Sequence, residues 1–106
     1  MKEKAMNIYN ELKAIIDKEI GNEAWRKADA VLEKHGFKHD YANEDEEMSL
    51  YDSYYKLGTD DGVITICLSA SYRAESDEPD ADYIFSNTFI DLVTVTDEDG
   101  NEENLI

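Results

Sequence analysis

Residues 63–73 read VITICLSASYR. In an extended chain Ile64, Ile66, Leu68, Ala70 and Tyr72 share one side, while Val63, Thr65, Cys67, Ser69 and Ser71 share the other. This period of two describes a strand with one apolar face and one smaller, more polar face. It is the longest clean alternation in the chain, which places it inside an antiparallel sheet. The preceding Gly58-Thr59-Asp60-Asp61-Gly62 is a hairpin signal, so residues 48–57 form its antiparallel neighbour. In that neighbour Met48 and Leu50 take one parity and Tyr51, Tyr55 and Leu57 the other, which predicts a bulge near Asp52-Ser53. After the central strand comes an acidic loop, residues 74–82, holding the only proline. A long strand over 83–96 follows, with a parity switch that predicts a kink around Ser86-Asn87-Thr88. Asp97-Glu98-Asp99-Gly100-Asn101 reads as a turn, and Leu105-Ile106 as a short closing strand. A short strand over 37–42 and a polar turn over 43–47 begin the sheet.

The chain ahead of the sheet has a different period. Ala5, Ile8, Tyr9, Leu12, Ile15, Ile16 and Ile20 recur at three and four, predicting a helix over 3–20. Ala24, Trp25, Ala28, Val31 and Leu32 predict a second over 23–35, with Asn22 as its N-cap and Gly36 as its left-handed C-terminal residue. The fold class is α+β: two N-terminal helices packed on one face of an antiparallel β-meander of about four to five strands. A single domain, 1–106, divides into a charge-neutral helical hairpin (1–36) and an acidic sheet (37–106).

The charge is unevenly placed. Residues 1–36 carry seven acids and seven bases, so the net charge of −16 comes entirely from residues 37–106, where 19 acids face only Lys38, Lys56 and Arg73. Membrane surfaces and nucleic-acid backbones are both negative, so direct binding to either is disfavoured and a basic protein surface is favoured. The lone Cys67 allows no internal disulfide, and the charged N-terminus shows no signal peptide; a cytoplasmic protein is expected.

Catalytic and cofactor signatures are missing. His35 and His39 have no nucleophile or carboxylate cluster spaced around them, and His35 suits a helix end. In Asp97-Glu98-Asp99-Gly100 the glycine comes fourth, not sixth as an EF-hand loop requires. The glycines all fall at turns and build no phosphate-cradling pattern. Neither a metal nor another cofactor is expected, and the residues favour a binding protein over an enzyme.

The acidic turns are therefore the candidate site. Glu44, Asp45, Glu46 and Glu47 belong to the first turn, and Asp77, Glu78, Asp80 and Asp82 to the long loop; a meander brings both to one end of the sheet. Asp60 and Asp61, with Asp97, Glu98 and Asp99, fall at the other end. Where the chain is extended, alternate carboxylates such as Glu78, Asp80 and Asp82 stand roughly 6.6 Å apart, of the order of the spacing between phosphates on a nucleic-acid strand. Tyr51, Tyr54 or Tyr55 would anchor a contact, tyrosine being common at interface hot spots. In composition alone the chain resembles the small acidic inhibitors that phages and mobile elements use against restriction or CRISPR nucleases. That resemblance implies an inhibitor that mimics nucleic acid and occupies the basic channel of a nuclease or CRISPR effector. An immunity- or antitoxin-type protein, or an acidic adaptor module, is the alternative; no feature argues for or against a homodimer.

Overall fold

The computed structural model describes residues 1–79 and 81–106, and the part of the acidic loop at Asp80 lies outside the described residues. Two helices, α1 (Lys2–Lys18) and α2 (Gly21–Lys34), precede five strands: β1 (Lys38–Asp45), β2 (Leu50–Thr59), β3 (Gly62–Ala74), β4 (Tyr83–Asp97) and β5 (Glu102–Asn104). The strands form one antiparallel meander in the order β1-β2-β3-β4-β5, with β3 at its centre as its alternation requires.

The helices cover one face. Ala5, Ile8 and Leu12 of α1 and Ala24, Ala28 and Leu32 of α2 are buried. They pack with Phe37, Tyr55, Ile64, Ile66, Leu68, Val93 and Val95, so the helix-facing side of β3 is the predicted Ile64–Ile66–Leu68–Ala70 row. The alanines of α2 keep the helix axis close to the sheet, and the aliphatic side chains of β3 and β4 fill the space between. Gly36 ends α2 as predicted, at φ 91°, and the Phe37 N–H donates to the Leu32 carbonyl, which turns Phe37 back into the core.

Several local expectations are corrected. The chain leaves the helical period at Glu19, which is extended, so Ile20 falls outside the apolar stripe of α1 and projects into solvent at 87% exposure. Helix α2 starts at Gly21, and no side chain caps it. Asn22 lies inside the helix and uses both side-chain atoms on β4 instead: Nδ2 donates to the Tyr83 carbonyl at 3.2 Å and Oδ1 accepts from the Phe85 N–H at 2.7 Å. Strand β2 pairs with β3 without a register shift, so there is no bulge at Asp52-Ser53. Met48 is in the turn, and the parity conflict disappears with it. The bulge lies in β1, between His39 and Tyr41. In β4 the expected kink is present: the register shifts opposite Ser69–Ser71, and Asn87 takes φ 52°. The closing strand is Glu102–Asn104; Leu105 follows it and packs on the core.

The helices are shorter than the sheet. At 17 and 14 residues they reach ~26 and ~21 Å, against ~43 Å for the 13 residues of β3. The sheet therefore overhangs the helices where β3 runs into the 75–82 loop. No helix is long and apolar enough to cross a membrane.

Candidate functional site

The meander sorts the predicted acids as expected. Glu44 and Asp45 end β1, Glu46 and Glu47 lie in the β1–β2 turn, and Asp77, Glu78 and Asp82 stand in the β3–β4 loop at the same end. Asp60 and Asp61 make the β2–β3 turn at the opposite end, beside Asp97, Glu98 and Asp99 of the β4–β5 turn. All of these are exposed. Asp80, the remaining residue of the predicted set, lies outside the described residues. The Ala81 N–H donates to the Glu78 carbonyl at 3.1 Å, a contact that the extended spacing expected for Glu78, Asp80 and Asp82 does not provide. Among the described residues, only two acids of the sheet region lie within ion-pair distance of a lysine or arginine: Asp40 with Lys56 at 3.4 Å, and Glu103 with Lys2 at 2.6 Å.

The three predicted tyrosines part company. Tyr55 is 4% exposed and donates its hydroxyl to Asp29 Oδ1 at 2.7 Å. It is a core residue joining β2 to α2, and burial raises its pKa; it is withdrawn as a contact residue. Tyr54 points to the uncovered face and stacks on Tyr41 of β1, centroids 4.5 Å apart. Burial pushes its pKa up to about 12. Tyr51 lies on the helix-facing side with Tyr72 and Tyr83, tyrosines that the sequence already crowds into the sheet region, in a group whose joining with Trp25 and Phe85 it did not reveal.

That group fills the overhang. Trp25 of α2 stacks on Phe85 at 4.6 Å and meets the edge of Tyr51 at 5.5 Å. Tyr51 in turn adjoins Tyr72 at 6.1 Å and Tyr83 at 6.0 Å, and Tyr72 lies 5.0 Å from Tyr83. All five rings remain partly open to solvent. Glu44 belongs to the group, because the Tyr83 hydroxyl donates to its Oε1 at 2.8 Å. That bond, more than burial, pushes Tyr83 up to about 12. Burial, then the charge of Glu44, raises Tyr51 and Tyr72, and Glu46 and Asp45 add to the shift at Tyr72. A neutral phenol is thus strongly favoured at each ring, under a cluster of carboxylates.

Three other constellations lie outside the overhang. His35 Nε2 lies 2.7 Å from Glu11 Oε2, tying the end of α2 to α1, and this contact holds the Glu11 carboxyl below its usual range. His39 packs edge-on against Tyr55 in a cleft of 620 Å³ that Asp29 and Glu33 also line. On the uncovered face the donor atoms of Asp52, Cys67 and Asp91 lie within 4.8 Å of one another. Burial, reinforced by both carboxylates, raises the Cys67 thiol, which favours the neutral form over the thiolate a metal requires. The Ser69 hydroxyl donates to Asp52, so that carboxylate already has a partner.

The overhang thus combines partly open aromatic rings with carboxylates that have no lysine or arginine partner among the described residues, an arrangement that can receive cationic groups. Compared with protein-family models, with curated proteins and with solved structures, the chain finds no match in any of the three.

Proposed function

We propose that this protein is an inhibitor that mimics nucleic acid and occupies the basic DNA- or RNA-binding channel of a nuclease, most specifically as an anti-CRISPR or anti-restriction protein of a phage or mobile element. One observation carries the reading. Among the described residues the acids are exposed, stand on turns at the two ends of the sheet, and are left almost wholly without lysine or arginine partners. Holding like charges together costs stability, and a folded domain recovers that cost when an opposite surface neutralises them. A disordered acidic tail would attract a basic channel too, but it would lose conformational entropy on binding; the β1–β2, β2–β3 and β4–β5 turns are short links between paired strands, which limits that loss. Effector nucleases that hold a guide–target heteroduplex present a positively charged channel of the matching sign.

The test is competition. Binding to a candidate nuclease is measured by association and dissociation rates at several salt concentrations, with and without its nucleic acid. The reading predicts association that slows steeply with salt, and mutual exclusion with nucleic acid. Rates indifferent to salt, together with simultaneous binding of protein and nucleic acid, would overturn it.

A further inference from the structure

We infer that Tyr51, Tyr72, Tyr83 and Glu44 form a seat for one arginine side chain of the partner, the point at which a diffuse acidic surface becomes selective. The inference rests on the proposed basic partner and adds which cation anchors it. A lysine ammonium is a compact, strongly hydrated charge that a carboxylate alone satisfies. A guanidinium is planar and weakly hydrated, and it gains from a ring to lie on and an oxygen to receive its fork of donors. The overhang supplies both. Tyr72 and Tyr83 lie 5.0 Å apart with planes inclined at 53°, and Tyr51 stands at 6.0 to 6.1 Å from each. The Tyr83 hydroxyl fixes Glu44 through Oε1, which leaves Oε2 to accept from an incoming N–H. Asp45 and Glu46 lie close enough to raise the Tyr72 phenol, so the same charges would attract the cation. Glu44 is set in position before the partner arrives, because Tyr83 already holds it.

Among the described residues, the other two ring groups each lie beside a lysine as well as acids: Lys38 lines the His39–Tyr55 cleft with Asp29 and Glu33. The Tyr41–Tyr54 stack shares its groove with Lys56, whose positive charge opposes a guanidinium. The turn at Asp60 and Asp61 has no aromatic neighbour within the ring contacts found among the described residues.

Trp25 is the only tryptophan and packs against Tyr51 and Phe85, so its fluorescence and indole NMR signal report on the seat. The probes are an oligo-arginine and an oligo-lysine peptide of equal length, titrated against the whole protein. The seat predicts a roughly two- to fivefold preference for arginine, the size of one exposed cation–π contact, with Trp25 shifted by the arginine peptide. Tyr72→Leu and Glu44→Gln should each remove the preference, the arginine peptide losing more affinity than the lysine peptide in both variants. Glu44→Gln is a surface change that keeps side-chain size, so it serves even if Tyr72→Leu disturbs folding. Equal affinity for the two peptides, binding of neither, or a preference that survives Glu44→Gln would overturn the seat. Salt-sensitive binding without arginine preference rejects the seat alone. Arginine preference without competition between this protein and nucleic acid on the nuclease rejects mimicry alone.

Discussion

The two ends of the sheet carry similar densities of acid and spend them differently. At the β4–β5 turn the carboxylate of Asp97 serves the fold. Asp97 Oδ1 accepts the Asp99 and Asn101 N–H groups, both at 2.9 Å, and Oδ2 accepts from the Asn101 amide at 3.2 Å. Lys2 comes from α1 to neutralise Glu103. At the overhang the turn and loop acids have no such cation among the described residues; Asp45 Oδ1 accepts the Met48 N–H at 3.0 Å and Glu44 accepts from the neutral Tyr83 hydroxyl, so both keep their charge. A count of acids does not show this difference in their partners.

The largest effect that separates the ends is on stability. Gly62 opens β3 with φ 148°, and a Cβ there would stand 2.0 Å from the Thr96 carbonyl oxygen of the neighbouring strand. Relief requires β3 and β4 to move apart, because the obstacle is backbone. Gly62→Ala is expected to cost about 3 kcal/mol or more in denaturant unfolding. Wild-type stability in this variant would show that the strand junction is looser than its geometry and remove the claim that this end is built for structure.

Next in size is a paired neutralisation read on the nuclease. Changing Glu46, Glu47, Glu75 and Asp77 to their amides should slow association about tenfold at low salt, and changing Asp60, Asp61, Glu98 and Asp99 should slow it less. Both variants lose four charges, so net charge alone predicts equal slowing. Equal slowing would mean that the partner senses the whole field and that the aromatic end has no privilege.

The ends also differ in their response to pH. Backbone N–H groups hold the Asp97 carboxyl below its usual range, so the stability it lends is complete above that range and lost as pH falls through its lowered pKa. Tyr83 behaves oppositely. Its pKa is raised, so its contribution is complete below the ordinary tyrosine pKa of about 10 and is lost as pH rises through about 12. Acid should loosen the β4–β5 turn first, and alkali the overhang. NMR signals of Asn101 and Trp25 followed across both limbs check this. Simultaneous loss of both signals on the acid limb would show that the ends do not respond separately.

How much of this was legible follows from the range of the interactions. The order of elements, the faces of β3 and the sorting of acidic turns to opposite ends all follow from local periodicity and the rule that meander neighbours are adjacent. The aromatic group does not. Trp25, Tyr51, Tyr72 and Tyr83 come from four elements, and they meet through the registers of β2–β3 and β3–β4 and the placement of α2 on the sheet, none of which is local in the sequence. Tyr55 shows the converse error. Its position next to Tyr54 gave it the opposite face, but adjacency could not say which of the two faces was buried. The N-cap error at Asn22 has a similar source, since the side chain that suits a cap is occupied by β4, more than 60 residues away.

The smallest expected effect belongs to the helices, whose acids and bases balance at seven each over residues 1–36. Lys13 and Asp17 pair four residues apart on the outer side of α1 at 3.4 Å, both more than half exposed. Changing them to Gln and Asn removes one acid and one base, so net charge is unchanged. An exposed pair of this kind contributes about 0.5 kcal/mol or less to stability, and association with the nuclease should match wild type. Glu11 and Lys27 are poorer choices for this control: His35 and Lys34 hold Glu11, and Glu19 holds Lys27 at 2.6 Å, so changing them disturbs how the helices are joined. If the Lys13 and Asp17 double variant, still folded, loses much of its affinity, the helices touch the partner. The docking surface would then wrap around the side of the domain, and the contrast between the ends of the sheet would no longer describe where binding happens.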